Sequence, residues 1–101
     1  MVYTIEAIKE ALLPLFKDNK IKRAILFGSY AKGIATDESD VDLIIDSGGL
    51  LCGLSFFGFR EDVYEALSGV DVDLIEISDV KAHSDMEREM QKTGVVIYDQ
   101  P

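Results

Sequence analysis

Residues 25–45, ILFGSYAKGIATDESDVDLII, constrain the fold more than any other stretch of the chain. An apolar run ends in Gly28-Ser29, a short polar segment follows, and a second apolar run begins with Asp40 and Asp42. Because successive side chains of a strand point to opposite faces, the two carboxylates share one face, while Val41, Leu43 and Ile45 share the other. The pattern predicts two strands separated by a tight turn and a short helix, with paired acids on one face.

The paired acids have two interpretations. Two like charges held side by side on a packed face are costly unless water or a cation meets them. Asp40 and Asp42 could form a solvent-facing edge, or hold a hard divalent cation such as magnesium together with substrate phosphates. The upstream turn favours the second interpretation, since Gly28 lets a ligand approach closely and Ser29 can cap a helix whose N–H groups face an anion.

A third carboxylate is expected from residues 70–77, a further apolar run that bears Asp71 and Asp73. Burying a strand with two acids on one face costs free energy unless a cation or solvent meets them. We expect Asp73 to complete the site because it lies deeper in the run. Asp71 lies nearer the Ser68-Gly69 turn and is expected to be solvated.

The rest of the sequence alternates helical and strand-like patterns. Apolar residues recur at helical spacing after Thr4, the predicted N-cap, and Pro14 is expected to kink or end this first helix. Further helices are predicted over residues 55–67 and 79–92, and strands over residues 23–27, 41–45, 72–77 and 95–98.

The motif resembles the signature of the polymerase-beta-type nucleotidyltransferase superfamily: Gly28-Ser29, ten intervening residues, Asp40-x-Asp42 and a later strand aspartate. The short length and the pattern GSYAKG…SDVDL resemble its minimal branch, the MNT-type domains, many of which are antitoxins paired with HEPN-domain ribonucleases. The resemblance covers nearly the whole chain. It implies an α/β minimal nucleotidyltransferase fold, with a small mixed sheet flanked by helices, and a single domain over residues 1–101.

The resemblance also implies a reaction and its residues. AMP would pass from ATP to a tyrosine of a HEPN toxin, in a site that uses two magnesium ions. The catalytic and metal-binding residues implied are Asp40, Asp42 and Asp73. Those implied for the nucleotide are Gly28, Ser29, Lys32 and Ser39. Lys32 departs from the arginine that is more frequent in the family, which keeps the charge but not a bidentate fork for phosphate.

Two other functions stay open. One is nucleotidyl transfer to a small hydroxylated molecule such as an aminoglycoside, although such enzymes usually carry an additional domain for which 101 residues leave no room. The other is a non-catalytic antitoxin that neutralises its partner by binding alone. The intact set of three aspartates argues against this second alternative.

The amino-acid composition limits which kinds of partner and which cellular compartment are expected. Nineteen acids against ten bases give a net charge of −9 without a basic stripe, which argues against extended nucleic-acid contact. The acidity suits a basic protein partner, or simply solubility. Cys52 is the only cysteine, and no signal peptide or membrane-spanning run is recognisable, so a cytoplasmic protein is expected.

Residues 50–59, LLCGLSFFGF, are densely apolar and interrupted by glycines. They could pack into the core, which we favour for Phe56 and Phe59, or form an exposed patch for a partner or for the adenine ring. We predict that Leu51, Leu54 and Phe57 contact a partner chain or a second copy of this one. His83 is the only histidine, so no histidine-rich metal site can form and no role is assigned to it.

Overall fold

The computed structural model describes residues 3–68, 70–80 and 84–100. Its elements, in chain order, are α1 (Ile5–Asp18), β1 (Arg23–Phe27), α2 (Gly28–Lys32), β2 (Val41–Asp46), α3 (Leu54–Ala66), β3 (Val72–Glu76), a 3-10 turn (Ile77–Asp79), α4 (Asp85–Thr93) and β4 (Val95–Asp99). None of these helices is both long enough and apolar enough to cross a membrane.

The strands form one mixed sheet in the order β3-β2-β1-β4. β1 is antiparallel to both β2 and β4, whereas β2 and β3 are parallel. A parallel pair needs a crossover connection, and α3 supplies it between β2 and β3. The predicted small mixed α/β sheet flanked by helices is therefore confirmed.

The two faces of the sheet are packed differently. α1 and α3 cover one face with a continuous apolar cluster, in which Phe16 and Phe59 stack with ring centroids 6.4 Å apart. The opposite face has a smaller cluster made of Ile25, Phe27 and Ile44, against which Met90 of α4 packs. Asp42 of β2 and Asp73 of β3, which pair with each other, belong to this second face.

The first helix begins as predicted, and of the two outcomes expected for Pro14 it does not show the earlier end. The Thr4 hydroxyl accepts the Ala7 N–H at 3.0 Å, which confirms the cap. α1 continues through Pro14 to Asp18 without ending at the proline. Proline removes the hydrogen bond to the carbonyl of Glu10, and both residues are exposed, so water can replace the missing donor.

The fourth helix is shorter than predicted. It begins at Asp85, where the Ser84 hydroxyl accepts the Glu87 N–H at 3.2 Å, and not near residue 79. Residues 77–79 form the 3-10 turn instead, and residues 81–83, including His83, lie outside the described part of the chain. The helix ends at Gly94, where a Cβ atom would press on the Met90 carbonyl and on Ile25.

Candidate active site

Asp42 and Asp73 are direct neighbours in the parallel pairing of β2 and β3. Both point away from the cluster under α1 and α3, and Asp40 precedes β2 by one residue. Burial raises the pKa of the Asp42 carboxyl, and the negative charges of Asp73 and Asp40 raise it further. The structure thus brings the three predicted aspartates into one electrostatic cluster, with Asp42 half-buried and the other two exposed.

Gly28 fits closely against this cluster. It follows Phe27, which pairs with Asp42 across the antiparallel strands, and its φ is +73°. A Cβ atom at this position would overlap the Asp42 carboxylate, with its carbon only 3.1 Å away. Glycine is required here both for the left-handed backbone and for the space beside the carboxylate. Ser29 lies inside the first turn of α2, and so does not cap the helix as expected.

Lys32 ends α2 and is already paired. Its Nζ lies 2.8 Å from Oε1 of Glu89 on α4, and both side chains are about 40% exposed. The charge of Glu89 also contributes to the raised pKa of Asp42, so the ion pair lies beside the aspartates. Sequence reasoning missed Glu89, because its position depends on how α4 packs across the sheet.

Ser39 stabilises the turn that leads to Asp40. Its hydroxyl accepts the Thr36 N–H at 2.9 Å, and its own N–H donates to the Thr36 carbonyl at 3.0 Å. This double contact fixes the chain just before β2. The predicted contact of Ser39 with nucleotide stays a prediction, since the hydroxyl is engaged within its own loop.

A groove of about 420 Å³ runs along the edge strand β3 and shares two of the aspartates. Its walls come from α3 and from the residues at and just before the starts of β2 and β3. They are Asp40, Arg60, Glu61, Tyr64, Asp71, Val72 and Asp73. Asp71 is exposed, as predicted. Arg60 and Tyr64 were missed by sequence reasoning, although their spacing of four on a predicted helix placed them on one face.

Residues 10–101 match the family described as polymerase beta, nucleotidyltransferase. The chain belongs to this nucleotidyltransferase family. The protein adenylyltransferase MntA of Thermococcus cleftensis is 34% identical over 83 residues, which cover 78% of this chain and 83% of that protein.

Two solved structures show the same fold. A crystal structure of a toxin–antitoxin complex with AMP-PNP matches with a TM-score of 0.77 at 22% identity, over 91% of this chain and 73% of that one. A complex of a tri-AMPylated HEPN toxin of Shewanella oneidensis with an MNT antitoxin matches with a TM-score of 0.72 at 19% identity, over 96% and 74% respectively.

The donor set of the nucleotidyltransferase suits a hard cation. Carboxylate oxygens are the protein ligands that magnesium prefers, and magnesium is usually bound by one or two of them together with substrate phosphates. A cation would also relieve the repulsion between Asp42 and Asp73. Within residues 3–68, 70–80 and 84–100, no three acidic, histidine or cysteine side chains are already arranged to hold a metal ion by themselves.

The apolar segment before and within α3 is partly exposed. Leu54 is 90% exposed and Phe57 55%, whereas Leu51 is partly buried against the main apolar cluster. Phe59 is buried and Phe56 partly so, as expected. The exposed large apolar side chains of this segment are therefore Leu50, Leu54 and Phe57.

Proposed function

We propose that this nucleotidyltransferase transfers AMP from ATP to a tyrosine of a HEPN-type ribonuclease toxin and so neutralises it. The observation that carries the proposal is the pairing of Asp42 with Asp73, with Gly28 fitted against Asp42. Support for the acceptor comes from the relatives, one named a protein adenylyltransferase and one in complex with an AMPylated HEPN toxin. Support for an ATP-like donor comes from the AMP-PNP complex.

The aspartates of the site would bind metal, and the turn after β1 would bind phosphate. Asp40 and Asp42 would hold one magnesium ion and, with Asp73, a second. Bound magnesium would supply positive charge to the attacking and leaving oxygens of the displacement. Gly28 and Ser29 would hold the triphosphate through backbone N–H and hydroxyl groups.

The transfer itself is a single exchange of bonds. The acceptor hydroxyl oxygen bonds to the α-phosphorus of ATP while the bond to pyrophosphate breaks, and Asp73 helps to take the hydroxyl proton. Asp73 suits this role because it is exposed on an edge strand, where an acceptor can reach it. On the toxin, the added phosphate charge and base would repel RNA from the cleavage site.

A docked partner would present the acceptor. Docking supplies the proximity that makes the transfer effectively unimolecular. Leu51, Leu54 and Phe57 are the proposed contact with a partner chain or a second copy, because an aromatic and a leucine side chain are left exposed there. The net charge of −9 would steer a basic partner. We place the reaction in the cytoplasm, where ATP is abundant.

Intact-mass analysis tests the proposal. The chain is incubated with a HEPN toxin, ATP and magnesium, and peptide mapping locates the modified side chain. We expect AMP on a tyrosine of the toxin, none with the Asp40→Asn/Asp42→Asn protein, and none when EDTA removes the magnesium. An unmodified toxin that is equally inhibited by both proteins would establish the binding-only function instead.

A further inference from the structure

The carboxylate cluster has two accessible sides. On one side, Gly28 and Ser29 follow β1, and Gly28 lies against Asp42. On the other side, the groove between β3 and α3 begins at Asp40 and Asp73 and extends along α3. The two sides are separated by β2, so a ligand in the groove and a triphosphate beside Gly28 would approach the aspartates from different directions.

An in-line displacement needs these two directions. The attacking and leaving oxygens lie on opposite sides of the phosphorus that is transferred. If the triphosphate lies beside Gly28 and Ser29, as proposed above, the acceptor oxygen must come from the other side. The groove along β3 lies on that side and is lined by Asp73, the residue proposed to help take the proton.

Two side chains of α3 give the groove its chemistry. Arg60 and Tyr64 lie four residues apart and so share one face of the helix. The Tyr64 side chain is 42% exposed, and Arg60 is exposed without an ion pair to any described residue. An aromatic ring and a planar guanidinium both stack on aromatic rings. A groove of about 420 Å³ has room for a phenol side chain and the backbone that carries it.

We propose that this groove is the acceptor subsite, in which Arg60 and Tyr64 position a phenolic hydroxyl opposite Asp73. The inference rests on the proposed function and adds the residues that position its acceptor. Tyr64 stacks on the incoming ring. Arg60 places a positive charge beside the phenol oxygen, which favours the phenolate as its proton leaves.

Steady-state kinetics separate acceptor binding from nucleotide binding. With a HEPN toxin as acceptor, Arg60→Met and Tyr64→Leu should each raise the acceptor KM about tenfold, the effect of truncating one well-packed contact residue. The KM for ATP should stay within about twofold. Tyr64→Phe should behave like wild type, because the ring does the positioning. Arg88→Met is the matched control, since Arg88 is an exposed arginine on α4 outside the groove.

Any of three results would overturn the inference. A raised KM for ATP with an unchanged acceptor KM would assign the groove to the nucleotide. Unchanged values for both substrates would remove Arg60 and Tyr64 from the reaction. AMP found on Tyr64 itself would make that residue an acceptor and not a positioning group.

A binding measurement keeps the inference testable if the proposed function fails, that is, if wild type transfers no AMP. N-acetyl-tyrosinamide is titrated into the isotope-labelled chain and amide shifts are followed by NMR. We expect shifts at Arg60, Tyr64 and Asp73, absent in Tyr64→Leu, unchanged in Arg88→Met and not produced by N-acetyl-serinamide. Shifts that bypass these residues, or that survive Tyr64→Leu, would contradict the acceptor subsite.

Discussion

The two faces of the sheet carry different side chains, apolar on one and partly charged on the other, and strand β2 contributes to both. Leu43 points into the continuous apolar cluster under α1 and α3, where it is fully buried. Asp42, its neighbour in sequence, points to the opposite face, beside Gly28 and Asp73. One face therefore stabilises the fold, while the other gives up apolar burial in order to hold charge.

The second face is itself divided along the strands. Ile44 pairs with Ile75 and belongs to the small apolar cluster on this face. Two residues earlier on each strand, at the next pair on the same face, the apolar pair is replaced by Asp42 and Asp73. The carboxylates thus lie one step beyond the apolar part of this face, supported by a rigid sheet but open to substrate.

The largest expected effect is the loss of activity in Asp42→Asn. Removal of this proposed metal ligand should lower AMP transfer about 1,000-fold or more, while circular dichroism remains that of the wild type. Asp62→Asn is the control, because Asp62 is an exposed aspartate on α3 that does not line the groove. A transfer rate near that of wild type would show that Asp42 is not part of the site.

The complementary effect should follow from Leu43→Ala on the other face. A fully buried leucine truncated to alanine should lower the free energy of unfolding by about 3 kcal/mol. Urea denaturation measures this loss, and Ile34→Ala, at a position 66% exposed, should change it by less than about 0.5 kcal/mol. Equal losses for the two variants would mean that the apolar face does not dominate stability.

A third comparison uses two glycines that have nearly the same backbone angle φ. Gly28 and Gly33 have φ of +73° and +74°, but only Gly28 would place a Cβ atom against a carboxylate. Both alanine variants should lose about 1 kcal/mol of stability through backbone strain. Only Gly28→Ala should also lower AMP transfer, because its Cβ displaces Asp42. Equal AMP transfer by the two variants would show that the close fit of Gly28 against Asp42 does not matter for activity.

Much of this arrangement can be predicted from local sequence. Alternation along residues 41–45 is enough to assign Asp42 and Leu43 to opposite faces, and the strand bounds of β1 follow directly. The choice of Asp73 over Asp71 follows from depth in the run, and the structure places Asp73 beside Asp42. These features depend on one strand at a time.

What could not be predicted depends on contacts between distant elements. The pairing of Lys32 with Glu89 requires α4 to pack beside α2, and no periodicity encodes it. Arg60 and Tyr64 become a wall of the site only because α3 crosses back to β3. The contact of Ser39 with nucleotide stays a prediction; its hydroxyl accepts the Thr36 N–H within its own turn.

A smaller effect concerns stability and pH. The pKa of Asp42 is raised in the folded state by burial and then by Asp73, so the folded protein binds its proton more tightly than the unfolded chain. Asp42 therefore contributes to the free energy of unfolding at pH values below the pKa that it has in the unfolded chain. This contribution is lost as the pH rises through the pKa that it has in the folded protein. In EDTA, the melting temperature of Asp42→Asn relative to wild type should therefore increase from about pH 4 to pH 7.

The control for this pH series is again Asp62→Asn, which removes the same charge from a chain of net charge −9. Its melting temperature relative to wild type should stay nearly level over the same pH range. A parallel rise in both variants would attribute the effect to overall charge and not to the carboxylate cluster.

The smallest expected effect tests the Lys32–Glu89 pair on the second face. The two side chains are partly exposed, so breaking the pair with Glu89→Gln should cost less than about 1 kcal/mol of stability. The same change frees Lys32 for a phosphate and removes one negative charge beside Asp42. The KM for ATP should then fall about two- to threefold, as expected for one partly screened charge.

Two further variants decide whether Lys32 causes that change. Asp85→Asn breaks the exposed pair with Arg88 elsewhere on α4 and should leave the KM for ATP unaltered. Lys32→Met should raise the KM for ATP. When Glu89→Gln is added to Lys32→Met, the KM for ATP should fall by less than it does in the wild-type background, because only the repulsion between Glu89 and the nucleotide is then removed. If Glu89→Gln lowers the KM equally with and without Lys32, then Glu89 acts only through its charge near Asp42, and Lys32 has no contact with the nucleotide.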